Sequence, residues 1–217
     1  MRIKNIVFDM DGTILNTIED LYIAVNFALE KNGYPKRTLE EVTSFVGNGV
    51  KLLVERAMPK NVTKEQFDIC FRDFKGYYDI HKNDNTRAYD GIIDTMKELK
   101  AMGINMAVVS NKFDQGVKEL ANNMFSGLLP VAIGESEKVA PKPDPSGVWL
   151  AMSEMGANFE DTVYIGDSDV DFNTAKNSKI DFIAVTWGFR PRSLHEKLGA
   201  KYIIDTPKEI IDTIKVM

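Results

Sequence analysis

"IVFDMDGTILNT", residues 6–17, decides how the rest of the chain is read. An apolar run, Ile6-Val7-Phe8, opens it, and Asp9 and Asp11 follow with only Met10 between them. In an extended chain, residues two apart point to the same side. Two carboxylates held that way repel by about 3 kcal/mol even at an effective dielectric near 20. A buried strand that ends in such a pair needs compensation, either a divalent cation or a proton kept on one carboxyl.

Working outward, short apolar runs recur with helical patterns between them: IKNIVF (3–8), INMAVVS (104–110), PVAIGE (130–135), TVYIGDS (162–168) and FIAVTWG (182–188). They lack polar alternation, as strands do when both faces of a parallel sheet are covered. Amphipathic stretches such as IIDTMKELKAMG (92–103) and GVWLAMSEMG (147–156) separate them, closed by Gly103 and Gly156. This alternation predicts an α/β fold, a doubly wound, Rossmann-like parallel sheet.

One block breaks the rhythm. Residues 17–86 hold only helical pattern: Leu21, Val25, Ala28 and Leu29 share a face, and "TLEE" (38–41) and "TKEQ" (63–66) read as capping boxes. A helical domain over 17–86, inserted in a core made of 1–16 and 87–217, accounts for this, with the sheet resuming near Tyr89-Asp90-Gly91.

Composition narrows the function classes. The chain has 217 residues, 44% hydrophobic and 27% charged, which is ordinary for a globular protein. A net charge of -5 argues against a broad grip on nucleic acid. A single cysteine, Cys70, excludes an intramolecular disulfide and suits a reducing compartment. No signal pattern and no stretch of membrane-spanning length is present, so the expectation is a cytoplasmic protein, monomer or homodimer.

In an open parallel sheet, ligands bind beyond the carboxyl ends of the strands. Those ends carry Asp9 and Asp11, then Ser110-Asn111-Lys112, then Asp167, with Asp169 and Asp171 close behind. Lys142 stands in the proline-stiffened "KVAPKPDP" (138–145). Taken singly, each group also reads as a solvated loop, a helix cap or a surface lysine. Their convergence on one rim is what points to chemistry. Hard Mg²⁺ takes a few carboxylates plus water and phosphate. With Asp11 protonated, Asp9, Asp167 and Asp171 are balanced by the metal and Lys142, so a phosphate dianion can approach.

The set DMDGT, VVSN, PKPDP and GDSDVD, in this order, resembles the haloacid dehalogenase superfamily of aspartate-nucleophile phosphohydrolases, and within it the phosphoglycolate phosphatase-like branch, with the helical insertion as its cap domain. The resemblance implies that Asp9 is the nucleophile and that Asp11 is the general acid–base, its backbone carbonyl also meeting Mg²⁺. It implies that Asp167 binds the metal directly and Asp171 through water. Ser110 and the Asn111 amide would hold phosphoryl oxygens, Lys142 would bridge nucleophile and phosphoryl group, and Gly12 and Thr13 would set the turn into the cap. An acid beside an ionised neighbour should have a raised pKa, as proton donation near neutrality requires. The dehalogenases for which the superfamily is named have another residue at the position of Asp11, which favours a phosphatase. Where the family often has Asp-Ser, this chain has Asn16-Thr17, either of which can cap a helix.

In the insertion, Gly47 and Asn48 of "VGNGV" (46–50) are substrate-binding candidates whose alternative is an ordinary turn. Lys51 and Arg56 are candidates for a substrate carboxylate or simply solvated. Phe67, Phe71, Phe74, Tyr77 and Tyr78 read as core of the insertion, Trp149 and Trp187 as packing, and His81 and His195 receive no chemistry. The leading expectation is a Mg²⁺-dependent phosphatase for a small phosphorylated metabolite, 2-phosphoglycolate first, without nucleic-acid or membrane partners. A pyrophosphatase, nucleotide phosphatase or sugar phosphomutase uses the same motifs. A receiver-like or non-catalytic phospho-ligand binding protein is the reading from another class.

Overall fold

Ile6, Val7 and Phe8 are completely buried in the first strand, β1 (Asn5–Phe8), and the acid cluster is arranged around its end. The computed structural model describes residues 2–217. Along the chain follow β2 (Leu15–Asn16), α1 (Ile18–Lys31), α2 (Leu39–Phe45), α3 (Val50–Ala57), α4 (Lys64–His81), β3 (Arg87–Ala88), α5 (Ile92–Ala101), β4 (Asn105–Phe113) and α6 (Asp114–Phe125). The remainder is β5 (Val131–Glu135), α7 (Ser146–Met155), β6 (Thr162–Gly166), α8 (Asp169–Ser178), β7 (Asp181–Val185), α9 (Arg192–Leu198), β8 (Tyr202–Ile204) and α10 (Glu209–Val216). Two compact units result, one of Met1–Ile14 with Ala88–Met217, the other Leu15–Arg87.

The first unit is a Rossmann-like α/β fold. Its six strands lie in the order β5-β4-β1-β6-β7-β8, and every pairing is parallel. The chain runs outward from β1 through β4 to β5, then restarts on the other side of β1 at β6. That makes β1 the topological switch point, where a crevice opens at the carboxyl ends. Phe8 is level with Val108 on one side and Ile165 on the other. Asp9, Ser110 and Asp167 therefore leave the sheet at one edge. Val7, Ala107, Val109 and Tyr164 pack with Val148, Ala151 and Met152 of α7 and Ala175 of α8. Each such fully buried Val or Met contributes about 1.5–3 kcal/mol, which makes this edge a rigid platform.

The helical unit forms as its pattern dictates. Leu21, Val25, Ala28 and Leu29 of α1 are buried, and α1 packs on α4. Thr38 with Glu41, and Thr63 with Gln66, form the two expected capping boxes. Phe74 and Tyr78 are core, while Phe67, Phe71 and Tyr77 stay partly exposed, with Phe67 stacked on Phe71 and Tyr77 on Phe27. Buried Asp20 holds the two ends of the insertion together. Its carboxylate accepts from the N–H of Asn85 (2.9 Å) and of Thr86 (2.8 Å), from the Asn85 amide (3.0 Å) and from the Thr86 hydroxyl (2.7 Å). No helix among the described residues is long and apolar enough to cross a membrane.

Several expectations need correction. Residues 89–91 do not restart the sheet; they turn into α5, with Gly91 at its N-cap in the left-handed region. The two-residue strands β2 and β3 pair with each other, and β8 adds a sixth strand to the main sheet. All three are too short for a periodic signal. At the start of α1, Thr17 makes no capping hydrogen bond, and Asn16 Oδ1 instead receives the Ile18 N–H at 3.4 Å.

Candidate active site

Three carboxylates meet where β1 and β6 end. Asp9, Asp167 and Asp171 are all buried, and each offers an oxygen within 4.8 Å of the others. Asp9 follows β1 directly, its N–H bonded to Ile165 O at 2.9 Å. Asp167 follows β6, and Asp171 sits in the first turn of α8, where it completes a capping box with Ser168. That box fixes Asp171: its Oδ2 accepts from the Ser168 N–H (3.0 Å) and hydroxyl (2.6 Å). Asp169, by contrast, is half-buried at the head of the same helix and caps nothing.

Lys142 supplies the cation. Its buried Nζ donates to Asp9 Oδ1 at 2.5 Å, to Asp171 Oδ1 at 2.7 Å and to the Tyr164 hydroxyl at 3.1 Å. Burial alone would lower the lysine's pKa, but Asp171 and Asp9 outweigh it and hold the ammonium well above its ordinary value. One ammonium does not balance three carboxylates. Burial, and then Asp171, push Asp9 well above the usual carboxylate range. The same causes push Asp167 up to about 7, against the opposing pull of the Phe189 N–H.

Asp11 is where the sequence-level picture changes. The chain leaves extended geometry after Phe8, and Gly12 adopts φ +92. Asp9 and Asp11 consequently do not share one side as a repelling pair: the carboxylate of Asp11 is not in the three-acid group, and its Oδ1 pairs with Lys112 Nζ at 3.4 Å. Each acid of the pair has its own lysine. Lys112 lies where the β4–β5 register shifts, between Val109 and Phe113.

Ser110 is buried within β4, three residues before its end, and its Oγ accepts from the Lys112 N–H at 3.2 Å. The side chain of Asn111 pins the Lys142 loop: its Oδ1 accepts from the Lys142 N–H at 2.6 Å and its Nδ2 donates to Lys142 O at 3.2 Å. Gly12 and Thr13 meet Asp167. A Cβ at position 12 would lie 2.5 Å from Asp167 Oδ2, and the Thr13 hydroxyl donates to Asp167 Oδ1 at 3.4 Å. Gly47 and Asn48 belong to the helical unit, in the turn before α3. There Arg56 is already engaged, donating to Phe45 O and Asn48 Oδ1, both at 2.8 Å, whereas Lys51 is exposed. His81 pairs with Asp84 at 2.7 Å, and His195 is buried.

Four contributors escaped the sequence reading. Tyr164 lies within the apolar run TVYIGDS, where a phenol inside a buried strand needs a partner for its hydroxyl, and it stands three residues before Asp167. Lys112 was only the tail of "SNK". Trp187 was taken for packing, but its indole N–H donates to Thr13 O at 2.9 Å. Phe189 acts through its backbone, donating to Asp167 Oδ2 at 2.6 Å.

The three-acid group fits a hard divalent cation. Its donors are all oxygen, which suits Mg²⁺ rather than a thiolate- or imidazole-seeking metal. Burial first, and then Asp171, hold Asp9 and Asp167 above the usual carboxylate range, and a bound cation would offset both.

An acidic switch-point cluster with a buried lysine, on a parallel sheet interrupted by a helical insertion, defines a hydrolase class: residues 6–185 match the family described as haloacid dehalogenase-like hydrolase, and the chain belongs to it. It is similar to a phosphoglycolate phosphatase of Pseudomonas syringae pv. syringae, 32% identical over 214 residues, 95% of this chain and 78% of the relative. It is similar to the phosphoglycolate phosphatase of Cereibacter sphaeroides at 32% identity over 198 residues, 88% of each chain. Among solved structures it is similar to a candidate phosphoglycolate phosphatase from Lactobacillus delbrueckii subsp. bulgaricus, with TM-score 0.94, 36% identity and 99% of both chains covered.

Proposed function

We propose that this protein is a Mg²⁺-dependent phosphatase that hydrolyses a small phosphomonoester through a phosphorylated Asp9, with 2-phosphoglycolate the first substrate to try. The observation that carries the reading is the grouping of Asp9, Asp167 and Asp171 around one buried lysine. Asp9 attacks phosphorus in line; its carboxylate oxygen gains the P–O bond and the ester P–O bond breaks. Asp11 gives its proton to the departing oxygen. In the second half Asp11 takes a proton from water, the water oxygen attacks phosphorus, and Asp9 is released as a carboxylate. Two displacements in place of one suit a carboxylate nucleophile.

Ser110 and the Asn111 N–H offer donors to the phosphoryl oxygens, and Lys142 offers the fixed positive charge that the transferring group requires. The Asn111 side chain keeps Lys142 in place. Asp9, the Asp11 carbonyl, Asp167 and Asp171 would hold Mg²⁺, which when bound supplies charge neutralisation for the phosphoryl group. The helical unit serves as the cap that excludes water and selects substrate, with Gly47 and Asn48 as its candidate contacts.

Purified protein is incubated with 2-phosphoglycolate and a panel of phosphorylated metabolites, with Mg²⁺ or EDTA, and inorganic phosphate is measured. Mg²⁺-dependent release that Asp9→Asn abolishes is the expected result. An isomeric sugar phosphate as product would make the protein a mutase. Full turnover by Asp9→Asn would overturn the nucleophile assignment.

A further inference from the structure

Asp167 is held on two sides by backbone that has no side chain to get in the way. A Cβ built on Gly188 would lie 2.3 Å from Gly12 O, 2.4 Å from Asp167 Cβ and 2.5 Å from Asp167 Oδ2. Gly12 has the same relation to Asp167 from the other side. The flanking residues complete the grip. Phe189 N–H bonds Asp167 Oδ2 at 2.6 Å, and Thr13 Oγ1 donates to Oδ1 at 3.4 Å. Trp187 Nε1, at 2.9 Å from Thr13 O, ties the loop after β7 back to the turn that carries Gly12 and Thr13. Asp167 Oδ1 is thus oriented from within the first motif, and Oδ2 by a group outside the catalytic motifs.

We propose that Trp187-Gly188-Phe189 is a clamp that pre-orients Asp167 for its cation, a positioning element of the metal centre. The inference rests on the Mg²⁺ reading above. Groups that orient a metal ligand tune affinity because they remove the cost of arranging that ligand when the ion arrives. Mg²⁺ demands near-ideal octahedral oxygen geometry, whereas Ca²⁺ tolerates irregular coordination. A clamp on Asp167 should therefore matter more for Mg²⁺ than for Ca²⁺. Simple packing by the loop would make no such distinction.

The test titrates Mg²⁺ and Ca²⁺ into the full chain by calorimetry, in wild type, Trp187→Phe and Gly188→Ala, with Asp167→Asn as reference. Trp187→Phe keeps the ring and removes only the N–H, so it remains informative if Gly188→Ala does not fold. Each variant is expected to weaken Mg²⁺ by about 10- to 100-fold, with a smaller loss for Ca²⁺. Unchanged Mg²⁺ affinity in a folded Trp187→Phe, or equal losses for both ions, would overturn the clamp. A wild type that takes up Mg²⁺ no better than Asp167→Asn would overturn the metal reading itself, and the clamp with it.

Discussion

Replacing Lys142 with methionine should make the stability of the α/β unit steeply dependent on pH. Its ammonium lies 2.5 Å from Asp9 and 2.7 Å from Asp171, inside the fold, so both carboxylates lose their cation while the stem is roughly preserved. Removing one partner from a buried ionic group costs about 3–5 kcal/mol where the remaining charges persist. The sign follows from proton counting. Asp9 and Asp167 titrate above their ordinary value in the native chain, so between pH 4 and their native pKa the native state binds more protons than the unfolded one. Stability then falls as pH rises. For Asp167 alone, a native value of about 7 against the ordinary 3.8 of an aspartate corresponds to about 4 kcal/mol lost across that window without metal.

Lys142 counteracts this by lowering Asp9. Its loss lets Asp9 rise further and extends the fall toward alkaline pH. In EDTA, Lys142→Met should differ from wild type by about 1 kcal/mol near pH 5, where the acids can take protons, and by the full 3–5 kcal/mol at pH 8. Both tryptophans, Trp149 and Trp187, lie in the α/β unit, so urea unfolding followed by their fluorescence reports on that unit alone. A deficit equal at both pH values, or larger at pH 5, would refute the argument.

Mg²⁺ should raise the melting temperature of wild type more at pH 8 than at pH 5.5, because protons on Asp9 and Asp167 compete with the ion; equal shifts would count against this cluster as the site. Asp11→Asn should slow the first half-reaction, read as single-turnover release of the alcohol, by about 10²- to 10⁴-fold for an alkyl phosphate and far less for p-nitrophenyl phosphate, since nitrophenolate leaves without a proton; equal losses in that step would remove Asp11 from the acid role. Asp20→Ala should loosen the helical unit by about 3 kcal/mol, the scale of lost hydrogen bonds to a charged acceptor. Hydrogen exchange at Asn85 and Thr86 would rise accordingly, and unchanged protection there would show that the contacts to Asp20 contribute little.

What the sequence revealed was whatever is encoded locally. The capping boxes at Thr38 and Thr63 formed because the Thr hydroxyl and the Glu or Gln three residues on satisfy neighbouring N–H groups. The strand ends converged because buried apolar runs with helical crossovers leave few topologies for a parallel sheet. Tertiary partners were hidden. Asp20 reads as an ordinary first-turn acid of α1 until the chain returns 65 residues later with Asn85. Phe189 contributes only a backbone N–H, which any residue but proline offers, and Gly188 contributes the absence of a side chain. Neither leaves a compositional mark.

The acidic pair that opened the sequence gives the sharpest instance. Even spacing predicts two carboxylates side by side, in need of a divalent cation or of a proton kept on one of them. The chain instead turns after Phe8, sending Asp9 to Lys142 and the other acids and Asp11 to Lys112. In the proposed reaction that separation would serve two chemically opposed tasks. A nucleophile must keep its electron pair; burial and then Asp171 oppose ionisation of Asp9, and the Lys142 ammonium, joined in the proposed reaction by a cation, would offset them. A proton donor and acceptor must change state within each turnover, so Asp11 is better kept out of the three-acid group, where every added charge would be felt at short range. Lys112, beside the register shift in β4, would then be as much a part of dividing those roles as the aspartates themselves.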